Sequence, residues 1–309
     1  MTKQWFQVKE KVAGSKRLLL TWYIYKCFGK YPVYLIATVT AFFAYIFAVE
    51  ERKNLKIYLN TLSKYTDKNC YQFSFTNGFR IFRNFAYSLV DKMLVFSGNF
   101  NSNNLIFSDF ETEEKVMKYV RAKKGMFFIT THVGNAEIIR ALLFSKKYEV
   151  TPKVNIFLEA NQCKIFNDFI KNISIKNAGV ETYAVEDIDV GTSIQIQDKL
   201  SNGEIVFMAG DRVSKQNQSK VYAVDFLGRQ INLPIGVFKF AYLMNSPIFF
   251  IVAKKEDNIY KLYAKEFISK FSIKSENLKD LKNEYGKFLE QYTINAPYQF
   301  YNFFSIFKT

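Results

Sequence analysis

The sequence predicts an α/β fold: a mixed central sheet flanked by helices, preceded by an N-terminal hydrophobic, membrane-associating helical segment. Three observations carry this. From residue 125 onward short apolar runs alternate with helical periodicities. A nineteen-residue uncharged stretch, 31–49, follows a strongly basic start. The only histidine among the 309 residues, His132, stands five positions before Glu137, where one apolar run meets one helical pattern.

The first thirty residues hold Lys3, Lys9, Lys11, Lys16, Arg17, Lys26 and Lys30 against Glu10. Trp5, Phe6 and the run 18–25 mix aromatic and basic character, as chains do at a bilayer interface. No small-residue cleavage site follows the apolar run, so a signal peptide is not expected. As a helix, 31–49 is about 28 Å long, which suffices to span a hydrocarbon core. Lys26 and Lys30 before it and Arg52, Lys53 and Lys56 after it give no orientation by the positive-inside rule. A single span, a monotopic or re-entrant helix, and a buried core helix all stay open.

Between residues 52 and 99, Phe79, Ile81, Phe82, Phe85, Leu89 and Val90 recur at helical intervals with Arg80 and Arg83 between them. A polar break at 100–104 follows. The expected organisation is a basic, hydrophobic anchoring segment at 1–50, a helical connecting layer at 51–124 and an α/β catalytic domain at 125–309.

Within that domain, 125–131 reads as a buried strand and 136–144 as a helix. Strands at 154–158, 180–183 and 204–209 alternate with helices at 161–172 and 190–200. Gly210-Asp211-Arg212-Val213 then opens a polar run to residue 220. A strand at 221–226 turns through Leu227-Gly228-Arg229, and Pro234 suits the first position of a helix at 235–244. Strands at 247–253 and 259–264 and a charged helix at 275–292 complete the pattern. The tail 296–304 is too aromatic for a loose terminus.

A formal charge of +15 calls for an anionic partner. The 33 Phe and 20 Tyr fall mostly in apolar runs such as 41–47. Nucleic acid, which would want aromatics interleaved with basic residues on an exposed surface, is therefore not the expected partner. An anionic membrane surface is. Cys27, Cys70 and Cys163 show no paired spacing, and with a single histidine neither a disulfide framework nor a metal site is expected.

Imidazole chemistry here rests on His132. If both residues sat in one helix, a five-residue separation would set His132 and Glu137 about 140° apart. A strand-to-helix turn removes the obstacle: Gly134 takes unusual backbone angles, Asn135 caps the helix, and Glu137 falls in its first turn. A carboxylate so placed reaches back to one imidazole nitrogen and leaves the other as a general base. A packed histidine at a strand end beside a surface glutamate satisfies the same residues.

With these pieces in place the chain resembles the lysophospholipid acyltransferase superfamily, in particular the branch of late acyltransferases of bacterial lipid A biosynthesis. His132-Val133-Gly134-Asn135-Ala136-Glu137 is similar to the family's HX4(D/E) motif. Gly210-Asp211-Arg212-Val213 resembles its arginine-bearing block, Val224-Asp225-Phe226-Leu227-Gly228 with Leu233-Pro234 the next, and the aromatic tail its closing segment. Glycerolipid members usually end the first motif in Asp and carry a later Phe-Pro-Glu-Gly block; Glu137 and Gly-Asp-Arg stand here instead, which argues against a simple glycerol phosphate acceptor.

The resemblance implies a glycerolipid acyltransferase-like fold at the cytoplasmic side of a bacterial inner membrane. It also implies transfer of an acyl group from acyl carrier protein or coenzyme A to a membrane-lipid hydroxyl, with no cofactor beyond that donor. His132 is then the expected base and Glu137 its orienting carboxylate. Backbone N–H groups near Gly134 and Asn135 are expected to hold the oxyanion. Arg212 is expected to pair with a substrate phosphate, with Asp211 holding it in place. Cys163 has no second histidine to activate it and reads as a structural thiol. A thioesterase or lipid hydrolase using the same dyad, and a membrane-binding protein without catalysis, are the rival readings.

Overall fold

The computed structural model describes residues 15–139, 152–172, 179–213, 220–269 and 273–308. Four helices come first: α1 (Ser15–Phe28), α2 (Lys30–Phe47), α3 (Val49–Thr66) and α4 (Phe75–Phe96). Gly29, at φ +76°, separates the first two. The uncharged stretch is not one continuous helix: Ala48, with a non-helical ψ of 66°, ends α2 at Phe47 and separates it from α3. Ser74 starts α4 by accepting the Asn77 N–H at 3.1 Å, an N-cap that sequence periodicity alone does not place.

The rest of the chain supplies β1 (Leu105–Phe107), α5 (Phe110–Arg121), β2 (Met126–Gly134), β3 (Val154–Leu158), α6 (Ala160–Asn172), β4 (Val180–Ala184), α7 (Val190–Ser201) and β5 (Ile205–Ala209). After these come β6 (Val221–Phe226), β7 (Arg229–Pro234), α8 (Ile235–Leu243), β8 (Ile248–Glu256), β9 (Ile259–Phe267) and α9 (Lys274–Asn295). Among the described residues the main sheet has seven strands in the order β1-β9-β8-β2-β5-β3-β4, and β6 and β7 form a separate hairpin. Strands β8, β2, β5, β3 and β4 run parallel; β9 is antiparallel to β8, and β1 is parallel to β9. The sheet is therefore mixed, as expected.

Alternation along β2 divides the core. Phe127 and Ile129 point into one apolar cluster with α3, α7, α8 and α9; Met126 and Phe128 point into the other with α5 and the C-terminal half of α4. Residues 51–124, expected as a helical connecting layer, pack into the sheet and its core. Leu105 pairs with Tyr260 in the sheet, and Leu55, Tyr58, Leu59 and Leu62 of α3 join the first cluster. Helices α2 and α4 each contribute to both clusters, so they do not cover one face of the sheet alone.

Several local expectations change. Strand β2 continues through His132 to Gly134, so the histidine lies in a strand end and not in a turn. Residues 136–139 form a 3-10 turn, and 140–144 of the expected helix lie outside the described residues, as do 214–219 of the polar run. Pro234 closes β7 instead of opening α8 from within.

Helix α2 is long and apolar enough to cross a membrane by length and composition, and 17% of it is buried. Its buried side chains, Val33, Ala41 and Tyr45, recur at helical spacing along one stripe, and Tyr34 and Thr38 of that stripe bond to α4. The other faces expose Leu35, Ile36, Val39, Phe43 and Phe47.

Candidate active site

The parallel register of β2 and β5 builds the site. Thr130 stands opposite Ala209; His132 follows two residues further along β2 and Asp211 two residues beyond the end of β5, at the carboxyl ends of parallel strands where α/β sheets hold their ligands. Asp211 Oδ1 lies 2.6 Å from His132 Nδ1, and Asp211 Oδ2 accepts the backbone N–H of His132 at 2.7 Å. The Asp211 side chain is 3% exposed and that of His132 33%. A buried carboxylate thus faces inward and an accessible imidazole outward.

Burial alone would raise the Asp211 pKa, but the His132 ring, the hydrogen bonds from His132 and the Arg212 charge together hold it below the usual carboxylate value. An ionised carboxylate only accepts, so Nδ1 carries the proton of the shared bond. Nε2 is then the nitrogen left to take up another. The arrangement has the geometry that a base and its orienting carboxylate need, with Asp211 rather than Glu137 beside the ring.

Glu137, the expected orienter, lies elsewhere: its Oε1 is 3.1 Å from Lys92 Nζ on α4. The reason is geometric. Because β2 stays extended through His132, the side chains of His132 and Glu137 leave the strand end on different paths. Asp211, 79 residues away in sequence, is carried to His132 by the adjoining strand.

The expected oxyanion turn is also reassigned. Gly134 has φ +71°, and a Cβ there would stand 1.9 Å from the Ala253 carbonyl oxygen on β8. Glycine is required by this close approach, where the β2–β8 register shifts. The Asn135 N–H donates to the Ala253 carbonyl at 2.9 Å, and its Nδ2 donates to the Ser88 carbonyl at 2.8 Å. Asn135 therefore ties β2 to β8 and α4, and its backbone donor points away from an oxyanion role.

Arg212, the residue expected to meet a phosphate, has Nη2 donating to the Tyr301 carbonyl at 3.0 Å and its guanidinium 6.0 Å from the Phe304 ring centre, while its charge also acts on Asp211, which bonds to His132. The aromatic tail is thereby drawn onto the site. Val133 bridges Phe300, and the Tyr301 N–H donates to the His132 carbonyl at 3.2 Å. Both backbone polar groups of His132 are thus fixed, one by Asp211 and one by the tail. Beneath them, the Tyr285 hydroxyl and the Gly210 N–H both donate to the Thr130 carbonyl, at 2.7 and 3.0 Å.

Sequence reasoning missed Asp91. This buried carboxylate on α4 accepts from the Tyr260 hydroxyl at 2.6 Å, from Lys255 Nζ at 2.8 Å and from the Tyr34 hydroxyl. A lone acid inside the apolar run 87–96 was the available signal. Among the described residues no cluster of histidine, cysteine and carboxylates suits a metal ion.

No protein-family model matches the chain, and sequence comparison with curated proteins gives no match.

Proposed function

We propose that the protein is a membrane-associated acyltransferase of glycerolipid acyltransferase-like fold. It moves an acyl group from an acyl thioester of acyl carrier protein or coenzyme A to a hydroxyl of a membrane lipid, such as a lipid A precursor. One observation supports the chemistry above the others: the 2.6 Å contact between His132 Nδ1 and a buried, ionised Asp211 on an accessible ring. In this reading Nε2 takes the proton of the acceptor hydroxyl, and Asp211 stabilises the imidazolium that results. The acceptor oxygen attacks the thioester carbonyl, the C–S bond breaks, and the departing thiolate regains the proton from Nε2. The ester forms in one displacement without a covalent acyl-enzyme.

Membrane association rests on α2. A helix crossing the bilayer alone would meet lipid on every side, whereas α2 keeps one stripe docked on α4 over its length. Helix α4 itself carries Arg80, Arg83, Asp91 and Lys92, which do not enter hydrocarbon cheaply. We therefore place α2 along the bilayer surface with its apolar faces in lipid. Lys26 and Lys30 on one side and Arg52, Lys53 and Lys56 on the other then meet anionic headgroups. The catalytic domain lies on the cytoplasmic side of the inner membrane in this arrangement.

The test is mass spectrometry of membrane lipids from cells expressing wild-type protein or His132→Ala at matched levels. A lipid heavier by one acyl group in the wild type alone is the expected result and names both acceptor and chain length. Thioester consumption by the purified protein without an acylated lipid would replace the transferase with a hydrolase that uses water as acceptor.

A further inference from the structure

We infer that Asp91 is a positioning residue, a latch that ties the lipid-facing helix α2 to the catalytic strand so that seating of α2 on a lipid surface is felt at residues 126–139. The inference rests on the membrane reading of α2 given above.

Asp91 is 3% exposed and sits where four elements meet. Its oxygens accept from Tyr34 on α2, Lys255 on β8 and Tyr260 on β9, while its own backbone belongs to α4. An isolated buried carboxylate is costly, so three donors drawn from three elements hold those elements at one distance. Burial, and then the Asp91 charge, push the Tyr260 phenol up, so the hydroxyl that bonds Asp91 stays a protonated donor.

From Asp91 two short paths reach His132. Along α4, the Ser88 carbonyl accepts Asn135 Nδ2 at 2.8 Å, and Lys92 pairs with Glu137, so both residues flanking the end of β2 are held by the turn that bears Asp91. Along β8, the Lys255 backbone exchanges two hydrogen bonds with the Gln299 side chain, at 2.9 and 2.8 Å. Gln299 lies two residues before Tyr301, whose N–H fixes the His132 carbonyl. Movement of α2 that pulls on Tyr34 is therefore transmitted to the His132 carbonyl and to the residues that follow it through fixed polar contacts rather than through side-chain packing alone.

Hydrogen–deuterium exchange of the full chain, with and without vesicles of phosphatidylglycerol and phosphatidylethanolamine in equal parts, tests this. In the wild type, vesicles are expected to slow exchange in α2 and, by about three-fold or more, in peptides covering 126–139. Tyr34→Phe removes one donor and leaves Asp91 its bonds to Lys255 and Tyr260, so the fold is retained; Asp91→Asn weakens all three contacts. Both variants should keep the protection of α2 and lose the response at 126–139. Thr38→Val deletes the neighbouring 2.8 Å contact between α2 and Tyr87 without touching Asp91 and should behave as wild type. A full response at 126–139 in Tyr34→Phe and Asp91→Asn would overturn the latch, as would an equal loss in Thr38→Val. Absence of vesicle protection of α2 in the wild type would instead remove the membrane reading, and the latch with it.

Discussion

Replacing Asp211 by asparagine separates the observed dyad from the one the motif suggests. The carboxylate accepts two bonds at once, from the His132 N–H at 2.7 Å and from Nδ1 at 2.6 Å. An amide of the same shape has one acceptor oxygen. The backbone N–H is a fixed donor, so the amide oxygen must turn towards it and the NH2 group towards the ring. Nδ1 then becomes an acceptor, the ring adopts the tautomer with hydrogen on Nε2, and the nitrogen that should take the substrate proton is already occupied. The negative charge that stabilises the imidazolium is lost as well. A misdirected tautomer and a missing counter-charge together should lower kcat by roughly 10²–10⁴-fold, or about 3–5 kcal/mol in the barrier. The assay is initial-rate acyl transfer from an acyl thioester to lipid extracted from the His132→Ala strain, read by mass spectrometry, with thermal unfolding to show that the fold is kept. Glu137→Gln, which alters the contact to Lys92 and leaves Nδ1 alone, should stay within about ten-fold of wild type. Asp211→Asn near wild-type turnover, with Glu137→Gln as inactive as His132→Ala, would refute the assignment and return the orienting role to Glu137.

Two further outcomes follow from the same geometry. Gly134→Ala sets a methyl group 1.9 Å from the Ala253 oxygen on a residue at φ +71°, so the end of β2 must separate from β8; a loss of about 2 kcal/mol or more is expected in urea unfolding, and an unchanged midpoint would mean that the strands do not approach this closely. Glu256, despite burial that would raise its pKa, is lowered from 4.5 to about 2 by hydrogen bonds from Lys254, Lys261 and Tyr263. A depressed carboxylate contributes stability that is fully present above pH 4.5 and lost as pH falls through about 2. Glu256→Gln should therefore be less stable than wild type at pH 6 and converge on it as the pH approaches 2; a constant gap across that range would show that Glu256 carries no such linkage.

Much of the fold was legible because burial on both faces turns parallel strands into continuous apolar runs. β3 lies where its run lies, and β5 and β8 start one residue later than their runs suggest; β6, in the antiparallel hairpin, lies where its shorter pattern places it. β1 was hidden because three residues are too few to show a period, and its place is decided by Tyr260 and its neighbours on β9. Beyond the Leu227-Gly228-Arg229 turn β7 has no assignment from sequence, because Arg229 and Gln230 are polar and exposed, although Ile231 and Leu233 alternate inward as a strand requires. At the site, the motif located His132 and the need for a carboxylate. It could not choose Asp211 over Glu137, since local spacing favours the near acid while strand register delivers the distant one. Arg212 was singled out for its charge, but its observed bond goes to a backbone carbonyl of the tail, a contact that residue type does not announce.

The tail's attachment to β2 also sets an order of events during synthesis. His132 and Asp211 lie in chain made well before Phe300 and Tyr301, yet the His132 carbonyl is fixed by Tyr301, and Ile231 and Gln230 of β7 pair with Phe307 and Lys308. A nascent chain that has already folded β2 and β5 still lacks this strap, so the histidine's backbone stays half-anchored until the last residues described here emerge. The backbone of His132 is thereby secured late, after the N-terminal helices α1 to α4 have been made.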